Sequence, residues 1–470
     1  VKGLAARNGG RAGLATVIAI LLIGLGLRVG NAWEGRAPVF DAAAYAKIAR
    51  NLDQGRGFTL GREATQPAGN YSPGVPLLAA GLYELSGGVH ERLAHLALAL
   101  IGSLSVLFAY LIGRRLSGPA AGLIGAGAVA IYPALLEYQG MLMGEPLAAT
   151  LLSGAVLAML RATDPRPAAP ALGRWLIPGI LLGALALVRP EYLAVALLLD
   201  LVVLVRGVRV DRRAGLARAL VLLAGAVLVV APWTVRNAIA LDRFVPVSTG
   251  GGQVLFAGSY MPSGGNPERV GREVLERHPG LTRRLAVEYL PRAAPGGDAR
   301  RAGTSPTGAN PPPVEALLAR LRLEQILAAL AAQRHPGIET DRALARMGRE
   351  RLRRDVSERP LAYAGFLAAK GWRIWSHGPR QVMRRPLWAA LHWALLALGL
   401  LGLVGLARRR RWEALLLGAV LLSATAIGAL LVASPRRVLV TLPLVAALAG
   451  VGAAWLRARF ARVRRRRAIG

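Results

Sequence analysis

The chain has 470 residues, 54% of them hydrophobic and none of them cysteine, and it carries a formal net charge of +33. The missing thiols exclude a disulfide framework, a cysteine nucleophile and any Cys-bearing zinc site. Apolar runs long enough to cross hydrocarbon recur along the chain, so an all-α polytopic membrane protein is expected in place of soluble domains.

The positive charge is gathered beside those runs, in Arg114-Arg115, in residues 206–213, in RRRR at 408–411 and in RARFARVRRRR at 457–467. Lys and Arg accumulate in this way in cytoplasmic loops and near anionic headgroups. Without an aromatic-interleaved basic motif, membrane lipids are the expected partner and nucleic acid is not.

In chain order, the first span covers about 13–30. No A-x-A-like site follows it, so it reads as a retained signal-anchor. An external loop over about 31–90 comes next. It opens on APVFDAAAYAKIARNLDQGRGF (37–58), a short amphipathic juxtamembrane helix with Asp41 near its head and Tyr45 four residues on, on the same face. SPGVPLLAAGLYEL (72–85) is too short to span, and treating it as a span would put later arginine clusters outside; it is placed within the loop as a re-entrant or interfacial segment. Spans follow near 92–113, 119–137, 143–161, 175–188, 191–206 and 218–235, and again near 386–407, 413–433 and 438–456, which makes about ten.

Between about 236 and 385 lies a long extramembrane region. Its stretch 292–313 is rich in Pro and Gly and reads as a flexible linker. Residues 314–334 have helical apolar spacing, and 360–380 set Tyr363, Phe366, Trp372 and Trp375 beside a span as interfacial helices do. The domain plan is therefore a transmembrane module at 1–235 with its loop at 31–90, an external and partly flexible helical region at 236–385, and transmembrane helices with a basic cytoplasmic tail at 386–470.

On this topology one side of the membrane collects the reactive residues: Asp41 and Tyr45, Glu145 at the entrance of the fourth span, Arg189 and Glu191 in VRPEY, Arg236 and Asn237 in APWTVRN, and Arg436 and Arg437 in ASPRRVLV. Carboxylates and guanidinium groups together can deprotonate a hydroxyl and hold a phosphate. Asp200, inside a span, is expected to pair with Arg206, and His392 to be hydrogen-bonded packing. Gly250 to Gly252 suit either a close approach of amides to a phosphate or a flexible turn. The six histidines lack metal-ligand spacing.

These motifs together resemble the polyprenyl-phosphate-sugar-dependent glycosyltransferases of the GT-C fold. The nearest group is family 39, with its protein mannosyltransferases and lipid A aminoarabinose transferases. The resemblance rests on Asp41 followed by the Y-x-x-x-A-x-x-L-x-x-G-x-G-F pattern from Tyr45 to Phe58, on YSPGVPLLA beginning at Tyr71, and on Glu145. It continues in PWTVRNAIALDRFVPVSTGGG (232–252) and in the basic pair of PRRVLVTLP. It implies a GT-C-like helix bundle with amphipathic juxtamembrane helices in the first external loop. It implies Asp41 as catalytic base, with Tyr45, Tyr71, Glu145, Arg189, Arg236, Asn237 and Arg436 binding the donor. The implied reaction moves a sugar from a polyprenyl-phosphate donor to a hydroxyl of a glycan, lipid or protein acceptor, inverting the anomeric carbon, at the external or periplasmic face of the cell membrane. No cofactor is required by these residues, and a divalent metal stays an open alternative. GNYSPG lacks the acidic-basic pair of the aminoarabinose transferases, and Ala42 stands where the mannosyltransferases have a second acid. The rival class is a transporter or flippase of lipid-linked glycans, whose ionisable groups would sit near the midplane.

Overall fold

The computed structural model describes residues 2–38, 41–61, 67–164, 172–290, 313–376, 378 and 381–467. The described residues are helical and contain no strand; Thr59 and Pro67 form an isolated bridge. The chain divides into two compact units.

The first unit comprises 1–248, 374–425 and 435–470. Its N-terminal part holds α1 (Lys2–Glu34), α2 (Ala42–Asp53), α3 (Gly74–Leu85), α4 (Glu91–Ser117), α5 (Pro119–Ile131), α6 (Pro133–Glu137), α7 (Gly144–Ala162), α8 (Leu176–Val188), α9 (Tyr192–Val210) and α10 (Arg212–Leu241). Among the described residues seven helices are long and apolar enough to cross a membrane, or eight if α5 and the segment after it, bent by 50°, count as one span. The expected spans at 175–188 and 191–206 correspond to a shorter apolar helix and to α9, which carries Asp200, Arg206 and Arg209. The 72–85 segment forms the 12-residue helix α3, too short to cross.

The bend has a local cause. Pro133 cannot donate a helical hydrogen bond, so α5 ends at Ile131 and leaves its last carbonyls open. Arg28 of α1, fully buried, fills that gap: Nη2 donates to Val129 O at 2.9 Å and Nη1 to Ala130 O at 3.2 Å. An ionised group in hydrocarbon needs such partners, and here the partners are the broken helix itself. At the break, Tyr132 Oη meets His392 Nδ1 at 2.9 Å, while His392 Nε2 lies 2.6 Å from Trp375 O. Facing a carbonyl, Nε2 carries the proton, so Nδ1 accepts from the tyrosine. His392 is the hydrogen-bonded packing residue expected.

The second unit, 249–373 with 426–434, has its own core of Phe256, Val270, Val274, Leu281, Leu327 and Leu344. It contains α11 (Gly251–Ser259), α12 (Pro267–Arg277), α13 (Pro279–Tyr289), α14 (Pro313–Arg320), α15 (Leu323–Arg334), α16 (Thr340–Glu358) and α17 (Pro360–Ser376), the last ending just past the unit. The helical run expected at 314–334 is interrupted at Leu321-Arg322. The linker at 292–313 falls almost wholly outside the described residues. The amides of Gly252 and Gln253 donate to Asp341 Oδ1 at 2.9 and 3.2 Å, so a carboxylate of the chain already occupies the anion position that these glycines offered. Of the four aromatic residues expected at an interface in α17, Tyr363 and Phe366 are buried and Trp372 alone is largely exposed, which corrects the picture of an aromatic face turned wholly to the interface.

Three helices complete the chain: α18 (Pro386–Ala407), α19 (Arg411–Leu430) and α20 (Arg436–Arg467). The candidate span of α20 is 83% buried, packed against α4, α5, α7 and α18. A side chain at Gly402 or Gly452 would overlap the facing helix's backbone, so these glycines let α18 and α20 approach closely. A central α20 places its first residues, Arg436 and Arg437, amid the surrounding helix ends.

Candidate active site

Five elements of the first unit meet at one end of the bundle. Asp41 stands at the head of α2, Glu145 in the first turn of α7, Arg189 and Glu191 between α8 and α9, and Arg436 and Arg437 at the start of α20. Glu145 suits its place electrostatically, because a helix N-terminus favours an anion.

Arg436 joins two carboxylates, Asp41 and Glu145. Its Nη2 lies 3.4 Å from Asp41 Oδ2 and 2.7 Å from Glu145 Oε1, and its Nε donates to the same glutamate oxygen at 2.8 Å. Arg189 Nη2 also donates to Glu145 Oε1. The glutamate side chain is 0% exposed and the aspartate 41%. One carboxylate is thus a buried anchor for two arginines, and the other is partly open to its surroundings. Glu145 Oε2 is buried with no hydrogen-bond partner among the described residues.

A second pair backs the first: Arg437 Nη1 donates to Glu191 Oε1 at 2.9 Å. Burial alone would raise the Glu191 pKa, but Arg437 and Arg189 outweigh it and hold the carboxyl below its usual value. Burial likewise opposes the charge on Arg189, and Glu145 and Glu191 overcome it, so its pKa is raised. The cluster thus sets three carboxylates against three guanidinium groups.

Tyr45, buried, stands edge-on to Tyr71 with ring centroids 6.1 Å apart. Burial, reinforced by the Asp41 charge, raises the Tyr45 pKa, and its hydroxyl bonds Ser72. It is a neutral phenol beside the open carboxylate.

Arg236 and Asn237 are not drawn into this cluster. Arg236 lies over the rings of Trp233 and Phe58, at 4.8 and 5.4 Å from their centroids, and donates to Asn237 Oδ1. Asn237, buried, donates to Val245 O at 3.1 Å and Val247 O at 2.9 Å. Its amide clamps the turn after α10, because a buried amide must satisfy its donors. The expected Asp200–Arg206 pair is also absent from the structure. Asp200 Oδ1 is buried without a hydrogen-bond partner among the described residues, and Arg206 sits 4.0 Å over the Trp412 ring.

Two residues escaped the sequence reading. Tyr138 offers its ring face to Arg436, whose guanidinium carbon lies 5.9 Å from the centroid. Arg28 supports the broken span that leads to Tyr138. A lone arginine in an apolar run was the available signal for Arg28; nothing marked Tyr138.

A divalent ion fits poorly here. Among the described residues no group of three or more His, Cys, Asp or Glu is placed to hold a metal. Between Asp41 and Glu145 stands the Arg436 guanidinium, in the place where a bridging cation would sit.

Comparison with known proteins bears on the fold. Residues 68–235 match the family model described as dolichyl-phosphate-mannose-protein mannosyltransferase. The archaeal oligosaccharyltransferase AglB from Archaeoglobus fulgidus, solved with an inhibitory peptide and a dolichol-phosphate, aligns over 97% of this chain and 51% of its own, at 18% identity and a TM-score of 0.53. The apo form of the Archaeoglobus fulgidus oligosaccharyltransferase aligns over the same shares at 16% identity and 0.54. The chain spans about half the length of these oligosaccharyltransferases. ArnT from Cupriavidus metallidurans, bound to undecaprenyl phosphate, aligns at 16% identity over 93% of this chain and 78% of its own, with a TM-score of only 0.39. No curated protein matches. The chain is a multi-pass membrane protein with the GT-C glycosyltransferase fold.

Proposed function

We propose that this protein is an integral-membrane glycosyltransferase that moves a sugar from a polyprenyl-phosphate donor to an acceptor hydroxyl, at the external face of the cell membrane. The observation that carries this reading is the division of labour between its two carboxylates, one sealed by arginines and one open. The dolichol-phosphate in AglB is in keeping with a lipid-phosphate donor.

In the proposed step the acceptor oxygen attacks the anomeric carbon from the side opposite the phosphate. Its proton passes to Asp41, the carbon–oxygen bond to phosphate breaks, and the electron pair leaves on the phosphate. Attack from the opposite side inverts the anomeric centre. Phosphate leaves readily, so a single base suffices where glycosidases use a carboxylate pair.

The hydrogen bonds of Arg436 suggest how the site is primed. Its contact with Asp41 at 3.4 Å is its longest, against 2.7 and 2.8 Å to Glu145. An arriving phosphate competes for the guanidinium and displaces the weakest partner first, releasing Asp41 toward the acceptor. Arg236, with no carboxylate partner among the described residues, is a further cation for the donor. Fixed cations beside the departing phosphate act with positioning to lower the barrier.

The test is Asp41→Asn in the full chain reconstituted in lipid nanodiscs and supplied with polyprenyl-phosphate hexose and pentose donors. Release of polyprenyl phosphate should fall by about 10²–10⁴-fold, the usual contribution of a positioned base. Donor binding should persist. Unchanged release would remove Asp41 from the base role, and transport of labelled lipid without any covalent product would place the chain in the transporter class.

A further inference from the structure

Helix α2 has two working faces. Asp41, Tyr45, Ile48 and Ala49 lie on one, toward the ion cluster and the core, as the helical repeat requires. The other face, through Ala43, Lys47 and Arg50, forms one wall of a cleft of about 470 Å³. Its remaining walls include Arg36 from the end of α1, Arg56 from the turn after α2, and Glu91 and His95 from α4.

The charge in this cleft is unbalanced. Four basic side chains face one acid, and that acid is consumed by Arg50, whose Nη2 and Nε both donate to Glu91 Oε1. Lys47 and Arg56 have no counter-ion among the described residues, and Arg36 reaches only the amide oxygen of Asn31 at 3.4 Å. Exposed arginines beside a bilayer commonly extend to separate headgroups. These instead line a common concavity, where like charges repel unless an anion joins them.

We propose that this cleft binds a phosphate or carboxylate group of the acceptor. The assignment rests on the glycosyltransferase reading, and position argues for it. Pro38 and Ala42, on either side of Asp41 in the chain, line the same cleft, so the cleft begins next to the stretch of backbone that carries Asp41. At 1.5 Å of rise per residue, Lys47 and Arg50 lie roughly 9 and 14 Å along the helix from Asp41. The donor's own phosphate must stay within bonding distance of the attacked carbon, with the acceptor oxygen about 3–3.5 Å from that carbon. An anion held at Lys47 and Arg56 is therefore a second anion, carried by the acceptor or by a lipid headgroup. The acceptor places its hydroxyl at Asp41 while its charged group anchors it further along the cleft.

The probe is a disaccharide phosphate, with the neutral disaccharide as control, titrated calorimetrically into the full chain in phosphatidylcholine nanodiscs. The phosphorylated sugar should bind at least tenfold more tightly. Lys47→Glu and Arg56→Glu should each weaken it fivefold or more, and the milder Lys47→Gln should do so to a smaller degree with unchanged thermal unfolding. Equal affinity for the two sugars, or a preference that survives the double charge reversal, overturns the proposal. Repeating the titration in discs with one-third phosphatidylglycerol separates the sources: a tenfold loss of disaccharide phosphate affinity there assigns the cleft to bulk lipid headgroups and overturns the acceptor assignment. If the anion preference holds while no donor is ever consumed, the cleft stands and the transferase reading fails.

Discussion

The ion cluster and the basic cleft are built on the same short helix and are opposite in electrostatic design. In the cluster Asp41, Glu145 and Glu191 meet Arg189, Arg436 and Arg437, and every charge has a partner of the other sign. In the cleft four cations share one acid. A balanced set of buried charges can be held rigid before any ligand arrives, because its desolvation is offset internally. An unbalanced, exposed set is satisfied only from outside. The contrast teaches which part of the site is framework and which part is a receptor.

The sharpest way to break the comparison is to unbalance the framework. Glu145→Gln leaves Arg189 and Arg436 facing a neutral amide in a dry setting, and removing one partner of a buried pair costs about 3–5 kcal/mol. Thermal unfolding of the reconstituted chain should drop by several degrees, and transfer should fall because Arg436 loses its anchor. Retention of both would show that Glu145 does not hold the arginines.

A smaller effect is expected from acid. The Glu191 carboxyl lies below its usual value of 4.5 in the folded chain, so it binds fewer protons than in the unfolded chain near that pH. Its contribution is complete above that value and is lost as pH falls through the depressed one. Stability measured between pH 6 and 3 should decline less steeply in Glu191→Gln than in the parent chain. Identical slopes would sink the assignment.

Salt should give the smallest and most selective response. With a Debye length near 10 Å at 0.1 M, exposed charges are screened while close buried pairs are hardly touched. Raising salt from 0.1 to 0.5 M should weaken disaccharide phosphate binding at the cleft several-fold and leave the unfolding midpoint almost unmoved. Equal sensitivity of the two would erase the distinction between framework and receptor.

Much of this was legible residue by residue. The juxtamembrane helix showed in its amphipathic spacing, and Asp41, Glu145, Arg189 and Arg436 in charges set at the ends of apolar runs. For Asn237 the motif position did not tell that its amide donates to two carbonyls of its own turn. Asp200 was misread because proximity in sequence to Arg206 does not make a pair: six residues along a helix are not neighbours on one face. Tyr363 and Phe366 looked interfacial from composition, and their burial depended on helices far along the chain.

By itself the sequence determined the class of this protein: recurrent apolar length marked a polytopic membrane chain, although about ten spans were expected where seven or eight helices qualify among the described residues. Charges at the ends of apolar runs marked the residues that meet in the cluster. Those are local properties, summed along the chain. Only the tertiary structure decided that Arg436 reaches back 395 positions to Asp41 and 291 to Glu145, and that Arg28 mends the broken helix 101 positions ahead. Such partners are chosen by which helices pack side by side, and a hydrogen bond of about 3 Å is sensitive to that packing in a way that no pattern of hydropathy records.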